Sequence, residues 1–156
     1  MRLVLDTDVV LAGLRSTTGA SRLLLLAAQA GVVRLLAGVA LMVEYESVLK
    51  RPENLTAMGL EGTMVDAFLD DLAAMVDPVT PHFSHRPAVR DPADEMLVAI
   101  AANGRADAIV TFNLRDLRPA DDRHGALGIM VCRPGDILRR LAWRPAAASR
   151  SVFPLR

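Results

Sequence analysis

The stretch Arg2-Leu3-Val4-Leu5-Asp6-Thr7-Asp8-Val9-Val10, at the start of the chain, joins a short apolar run to a cluster of polar side chains. The apolar run predicts a buried strand over Arg2–Asp6, and the residues that follow predict a helix over Val9–Leu14. In parallel α/β sheets, ligands bind beyond the carboxyl ends of the strands. Asp6 therefore lies where a functional side chain is expected. The alternative is a strand-to-helix turn in which the Asp and Thr side chains only cap the helix.

Segments of strand and helix length alternate along the rest of the chain. Such alternation predicts an α/β fold, a three-layer α/β/α sandwich around a central, mostly parallel sheet. The further predicted strands are Val32–Ala37, Val76–Thr80, Ala108–Thr111 and Gly128–Arg133, and the further predicted helices are Ala20–Ala30, Val39–Lys50, Glu61–Met75, Pro92–Asn103 and Pro134–Leu141.

The composition is that of one small globular domain. The chain has 156 residues, of which 52% are hydrophobic and 4% aromatic, so a core of Leu, Val, Ala and Ile is expected. We expect the domain to span residues 1–142 and a C-terminal tail to span 143–156. The formal net charge is zero, which by itself identifies no partner.

The cellular setting is inferred from the cysteine content and the apolar runs. Cys132 is the single cysteine, which excludes an intramolecular disulfide and fits a reducing compartment. The charge at position 6 interrupts the first apolar run, so no signal peptide is expected. The other apolar runs are shorter than the roughly 20 residues that span a bilayer. We therefore expect a cytoplasmic protein without membrane association.

A second carboxylate, Glu44, lies within the predicted helix Val39–Lys50 and shares a face with apolar residues of that helix. A carboxylate on an apolar face is costly unless a positive charge pairs with it, so either a metal ion or an arginine is expected beside it. Glu46 differs, because Lys50 lies four residues further on and predicts an ordinary surface ion pair.

Asp91 and Asp94 flank Pro92 at the start of a third polar segment. Asp91 is a good helix cap before a proline, and Asp94 then faces the amino terminus of the helix, which accounts for both residues structurally. Asp94 also shares a face with Leu97 and Ala101, however, and the helix dipole would keep it ionised and able to hold a cation.

A fourth polar segment follows the predicted strand Ala108–Thr111. Asn113 and Asp116 could simply form an Asx turn there. Four polar clusters, each adjoining an apolar element, are explained more simply by one acidic pocket. Carboxylates that gather in one pocket repel one another, and Mg²⁺ or Mn²⁺ relieves the repulsion through the hard oxygen ligands that it prefers.

Five segments, in this order along the chain, resemble the motifs of the PIN-domain family, and in particular the VapC-like toxin nucleases of bacterial toxin–antitoxin modules. The resemblance covers residues 1–142, and the ordered set is more specific than any one motif. The segments are Leu5-Asp6-Thr7-Asp8-Val9-Val10, Glu44-Tyr45-Glu46-Ser47-Val48-Leu49, Asp91-Pro92-Ala93-Asp94 with Met96-Leu97-Val98-Ala99, Val110-Thr111-Phe112-Asn113-Leu114-Arg115-Asp116-Leu117, and Val131 to Leu138 with Pro134-Gly135-Asp136-Ile137-Leu138.

The resemblance implies a PIN-like fold and a metal-dependent endoribonuclease that hydrolyses RNA phosphodiester bonds with one or two Mg²⁺ or Mn²⁺ ions. It implies that Asp6, Glu44, Asp94 and Asp116 are the catalytic acids, and that Asp6, Asp94 and Asp116 are metal ligands. The supporting positions would be Asp8, Asp91, Thr111 and Asn113, and the arginines that steer backbone phosphate would be Arg15, Arg90 or Arg115.

Two positions depart from the family pattern, and they leave the number of bound ions open. Asp8 stands where the family more often has Asn, and Asn113 stands where many members have Asp.

A toxin nuclease also implies a cognate antitoxin protein that holds it inactive. The apolar helices Ala20–Ala30 and Glu61–Met75 offer surfaces for an antitoxin or a homodimer, unless both are simply core.

Two other functions stay open. Asp6 and Asp8 after an apolar strand also resemble the nucleophile motif of haloacid-dehalogenase-like phosphatases, with Asp6 attacking phosphorus and Asp8 as the acid. That chemistry needs a lysine near the phosphate, and Lys50 is the only lysine of the chain. The other is a non-catalytic PIN-like module that binds RNA or a partner protein, which Asn113 in place of an acid keeps open.

Overall fold

The centre of the fold is a parallel sheet. The computed structural model describes residues 1–81, 92–117 and 129–143, and of residues 92–94 it describes the backbone. Its strands are β1 Arg2–Leu5, β2 Arg34–Ala37, β3 Val76–Pro78, β4 Ala108–Val110 and β5 Met130–Cys132. They form one five-stranded sheet in the order β3-β2-β1-β4-β5. Every neighbouring pair is parallel, so the predicted α/β architecture is confirmed.

Helices cover both faces of this sheet. In the described parts of the chain they are α1 Thr7–Arg15, α2 Ala20–Gln29, α3 Val39–Leu49, α4 Pro52–Met58, α5 Gly62–Met75, α6 Pro92–Gly104 and α7 Pro134–Leu141. Leu3, Val4 and Leu5 of the central strand are each at most 2% exposed. Because successive strand residues point to opposite faces, both faces are covered. α6 packs on β1, β2 and β4, and α7 packs on α2.

The predicted elements are present with shifted ends, and α4 was not predicted. Strands β1 to β4 are one or two residues shorter than expected. The predicted helix Val39–Lys50 ends at Leu49. Pro52 occupies the first turn of α4, where its fixed φ suits the helix and no N–H is needed. α4 closes at Gly59, whose φ of 64° is the left-handed conformation that glycine adopts without strain.

The core consists mainly of Leu, Val, Ala and Ile, as the low aromatic content predicts, with Tyr45 and Phe68 among its described members. The apolar stripes of α2 and α5 belong to this core, and so does Cys132. Trp143, the first residue of the proposed tail, also packs against this core. The boundary at residue 142 stays a prediction.

None of the described helices alone is long and apolar enough to cross a bilayer. α1 and α2 reach the required length and composition only as a pair, across a 98° bend.

The carboxyl ends of the central strands meet at one edge of the sheet, the carboxyl edge. The last residues of β1, β4 and β5 are in register, so Asp6, Thr111 and Arg133 each come one residue beyond a paired end. The N–H of Asp6 donates to the carbonyl of Val110 over 2.9 Å, and the N–H of Thr111 donates to that of Cys132 over 3.0 Å. A helix that connects parallel strands runs back antiparallel to them, so the amino terminus of α6 faces this edge too.

Candidate acidic site at the carboxyl edge

Asp6 is held at the carboxyl edge by a side-chain contact with the residue that follows the neighbouring strand. Its Oδ2 accepts a hydrogen bond from Thr111 Oγ1 over 2.6 Å, and the Thr111 side chain is fully buried. Asp6 occupies the N-cap position of α1, yet its carboxylate makes no capping hydrogen bond. The carboxylate is directed across the sheet edge towards β4, and amides of the first turn of α1 also lie near it.

The environment of Asp6 opposes its negative charge. Burial raises the pKa of the Asp6 carboxyl, and the charge of Glu44 raises it further, whereas the Thr111 hydrogen bond and the nearby amides of Thr7 and Asp8 lower it. Burial is the largest of these effects, so the pKa of Asp6 is raised overall. An ionised Asp6 is thus costly until a positive charge comes close.

Glu44 reaches the same place from α3. Its Oε1 accepts a hydrogen bond from the hydroxyl of Thr7 over 2.8 Å, and Thr7, the first residue of α1, is itself buried. Within the described residues, Glu44 forms no ion pair with an arginine. The helix therefore directs Glu44 at the start of α1, beside Asp6, and no positive charge from the described chain satisfies it.

Tyr45, the neighbour of Glu44, ties α3 to the end of β1. It is 2% exposed, and its hydroxyl donates to the carbonyl of Leu5 over 2.5 Å. Burial raises the pKa of the Tyr45 hydroxyl well above its usual value, and the charges of Asp6 and Glu44 add to this. Tyr45 is a positioning residue that sequence reasoning missed; its signal is that the chain's only tyrosine adjoins a candidate acid.

The loop after β4 extends the network towards solvent. Thr111 Oγ1, which donates to Asp6, also accepts from the N–H of Asn113 over 2.9 Å. The side-chain amide of Asn113 donates to Asp116 Oδ2, and both of these residues are exposed. The Asn113–Asp116 pair agrees with a local turn, but the turn is linked through Thr111 to Asp6.

Asp8 braces the other side of this loop. Its Oδ2 accepts from the N–H of Phe112 over 3.2 Å, which connects the first turn of α1 to the residue after Thr111. Asp8 therefore has a defined structural contact beside the site, and its supporting role stays a prediction. Thr7, by contrast, was considered only as a cap and proves to be the partner of Glu44.

The predicted acid cluster is assembled in part. The charge of Glu44 acts on Asp6 and raises its pKa, and Asp116 is linked to Asp6 through Asn113 and Thr111. Within residues 1–81, 95–117 and 129–143, no three Asp, Glu, His or Cys side chains gather closely enough to hold a metal ion.

Other predicted site residues are placed less fully. The backbone of Asp94 lies in the first turn of α6, at the carboxyl edge, and its side chain lies outside the described residues. Asp91 and Arg90 also lie outside them. Arg115 is exposed in a helical turn over residues 114–117 at this edge, whereas Arg15 is exposed at the far end of α1.

The chemistry of the donors fits Mg²⁺ or Mn²⁺. Asp6 and Glu44 offer carboxylate oxygens, the ligands that these hard cations prefer. The raised pKa of Asp6 marks a place where added positive charge would be stabilising. Each carboxylate is oriented by a threonine hydroxyl, in the way that outer hydrogen bonds orient metal ligands.

The position of Lys50 does not support the phosphatase alternative. Lys50 follows the last residue of α3, away from the carboxyl edge, and pairs with Glu46 over 2.7 Å and Asp66 over 2.5 Å. The predicted surface pair of Glu46 and Lys50 is thereby confirmed. Neither contact brings the ammonium group to Asp6.

Comparison with known proteins identifies the family. A family model described as a PIN domain matches residues 2–115. This range contains Asp6, Glu44 and Thr111 and ends one residue before Asp116. The chain has no significant match among curated proteins or solved structures. β5 and α7 follow the matched range, although β5 continues the same sheet. Since the match spans more than half of the chain, the protein belongs to the PIN-domain family.

Proposed function

We propose that this PIN-domain protein is a metal-dependent endoribonuclease that hydrolyses phosphodiester bonds of RNA with Mg²⁺ or Mn²⁺. PIN domains are generally metal-dependent nucleases. The observation that carries the proposal is the meeting of two carboxylates, Asp6 and Glu44, at the carboxyl edge with no ion pair from the described residues. An isolated pair of this kind would destabilise the fold unless a cation joins it.

The proposed roles follow from how each carboxylate is held. Asp6 and Glu44, together with Asp94 and Asp116, would hold one or two ions. When bound, a divalent cation polarises the scissile phosphate and lowers the pKa of water. Thr111 and Thr7 keep the two carboxylates in fixed orientations, so little reorganisation is needed for binding. The Asn113–Asp116 pair would orient groups at the solvent side.

A finer part of the same proposal is that the protein is the toxin of a toxin–antitoxin module. It is supported by the resemblance of the five motifs to VapC-like toxins. Expression of the chain should then arrest growth, and a cognate antitoxin protein should relieve the arrest. A homodimer is also proposed. A short open reading frame directly upstream would support the pairing with an antitoxin.

The deciding experiment measures RNA cleavage by the full chain with Mg²⁺, with Mn²⁺ and with EDTA. The Asp6→Asn variant removes one charge with little change of shape and should abolish cleavage. Asp70→Asn, at an exposed position of α5, makes the same chemical change away from the carboxyl edge and should cleave normally. Equal cleavage by wild type and Asp6→Asn rejects the mechanism.

Calorimetry with Mn²⁺ separates the nuclease from a non-catalytic binding module. The nuclease should take up the ion, and Asp6→Asn should lose most of that uptake. RNA binding without any uptake of Mn²⁺ would favour the module.

A further inference from the structure

The side chain of Phe112 is exposed next to residues that are buried. It is 44% exposed, whereas Thr111, directly before it, is fully buried. The backbone on both sides of this ring is fixed, because the N–H of Phe112 donates to Asp8 and the N–H of Asn113 donates to Thr111. An aromatic ring is therefore held at the surface by the same loop that positions Asp6.

Arg133 directly follows β5, the strand next to β4, and lies at the carboxyl edge as Thr111 does. It follows Cys132, whose carbonyl accepts from the N–H of Thr111, and its backbone is extended, with φ −87° and ψ 158°. The residue is exposed. Asp136 accepts from its backbone N–H over 3.0 Å but pairs its charge with Arg139. Among the described residues, no carboxylate forms an ion pair with Arg133.

We propose that Phe112 and Arg133 form a subsite for one unpaired nucleotide beside the acidic site, which we call the Phe112 subsite. The ring stacks on the base, as aromatic side chains do when proteins bind single strands. The guanidinium binds a backbone phosphate through its planar fork. A cation here also offsets the repulsion between the phosphate and the carboxylates of Asp6 and Glu44. The proposal rests on RNA as the substrate.

The Phe112 subsite predicts selectivity for single strands. A base inside a duplex is already stacked on its neighbours and has no free face for the ring, whereas the backbone phosphate is present in both forms. A substitution of Phe112 should therefore weaken the binding of single-stranded RNA but not of duplex RNA. A substitution of Arg133 should weaken the binding of both.

The test measures binding separately from cleavage. Fluorescence anisotropy is recorded for the full-length Asp6→Asn protein with a labelled oligoadenylate and with a blunt RNA duplex, at several salt concentrations. Adding Phe112→Leu, which keeps the apolar bulk without the ring, should weaken single-strand binding about tenfold and leave duplex binding unchanged. Phe112→Tyr should restore the affinity.

Arg133 is tested in the same background. Arg133→Gln should weaken both complexes and reduce the salt slope for the single strand by about 0.7. Arg105→Gln, an exposed arginine just before β4 at the opposite edge of the sheet, is the matched control and should leave both affinities unchanged.

The outcomes distinguish the subsite from the nuclease proposal. Equal single-strand affinity with and without Phe112→Leu, in proteins of equal melting temperature, overturns the subsite even if the wild type cleaves RNA. Loss of affinity in Phe112→Leu and Arg133→Gln supports the subsite even if the wild type proves unable to cleave. Absence of any RNA binding by the Asp6→Asn protein overturns the subsite as well.

Discussion

Replacing Thr111 by valine tests the contact on which the orientation of Asp6 depends. The change removes one hydroxyl from a fully buried side chain and leaves its shape nearly unaltered. That hydroxyl donates to Asp6 over 2.6 Å and accepts from the N–H of Asn113 over 2.9 Å. A hydrogen bond to a charged group contributes about 1.5–3 kcal/mol to the free energy of unfolding, and a neutral one about 0.5–1.5 kcal/mol.

The expected loss from Thr111→Val is therefore roughly 2–4 kcal/mol in the free energy of unfolding. For a domain of this size it lowers the melting temperature by about 4–16 °C, which far-UV circular dichroism follows directly. Losing the Thr111 donor also raises the pKa of Asp6 further, since that hydrogen bond is the largest of the effects that lower it. The acid limb of the cleavage profile should then move to higher pH.

Thr111→Ser is the matched control because it keeps the hydroxyl and loses a methyl group. It should keep the acid limb of the wild type even where its stability falls. A Thr111→Val protein with the wild-type melting temperature and the wild-type pH profile would refute the role of this hydroxyl.

Three further substitutions test the stability of the site and its support. Because the pKa of Asp6 is raised in the folded protein, the folded protein binds this proton more tightly than the unfolded chain does. Proton binding therefore stabilises the fold fully below the pKa of the unfolded state. This stabilisation is lost as the pH rises through the pKa of the folded state. Metal-free Asp6→Asn should therefore gain stability over wild type as the pH rises towards neutrality, and parallel pH curves in urea unfolding would contradict this. Tyr45→Phe leaves a buried carbonyl of β1 without its donor, which should cost about 1–3 kcal/mol in unfolding free energy and weaken Mn²⁺ binding in calorimetry; unchanged values of both would exclude a positioning role. Gly104→Ala places a Cβ 2.9 Å from a Leu36 methyl group and should destabilise by about 1–3 kcal/mol in urea unfolding, whereas Gly62→Ala meets open space and should not.

The sheet and the place of Asp6 were predictable because both depend on local pattern. Leu3, Val4 and Leu5 form an apolar run without alternation, which is typical of a strand buried on both faces, and all three are buried. A polar residue directly after such a strand lies at the carboxyl edge by chain geometry alone. Thr111 was expected as the last residue of its strand, and it lies one residue beyond β4.

The support of the site was not predictable in the same way. The hydrogen bond between Thr7 and Glu44 depends on how α3 lies against α1, and that packing is set by the whole core. Tyr45 reads as one more apolar residue on its helix until its hydroxyl is seen at the carbonyl of Leu5. α4 was not predicted, although Pro52 is suited to the first turn of a helix.

The stability of the fold and the chemistry of the site are opposed at Asp6. The apolar strand that positions this residue also buries it, and Glu44 adds a second negative charge from α3, so the pKa of Asp6 rises. Two buried threonine hydroxyls orient the carboxylates without neutralising them. Without a cation, a neutral side chain at position 6 would avoid the cost of a half-buried carboxylate. The proposed cation would offset this cost, and the gain in metal-free stability expected for Asp6→Asn measures how large the cost is.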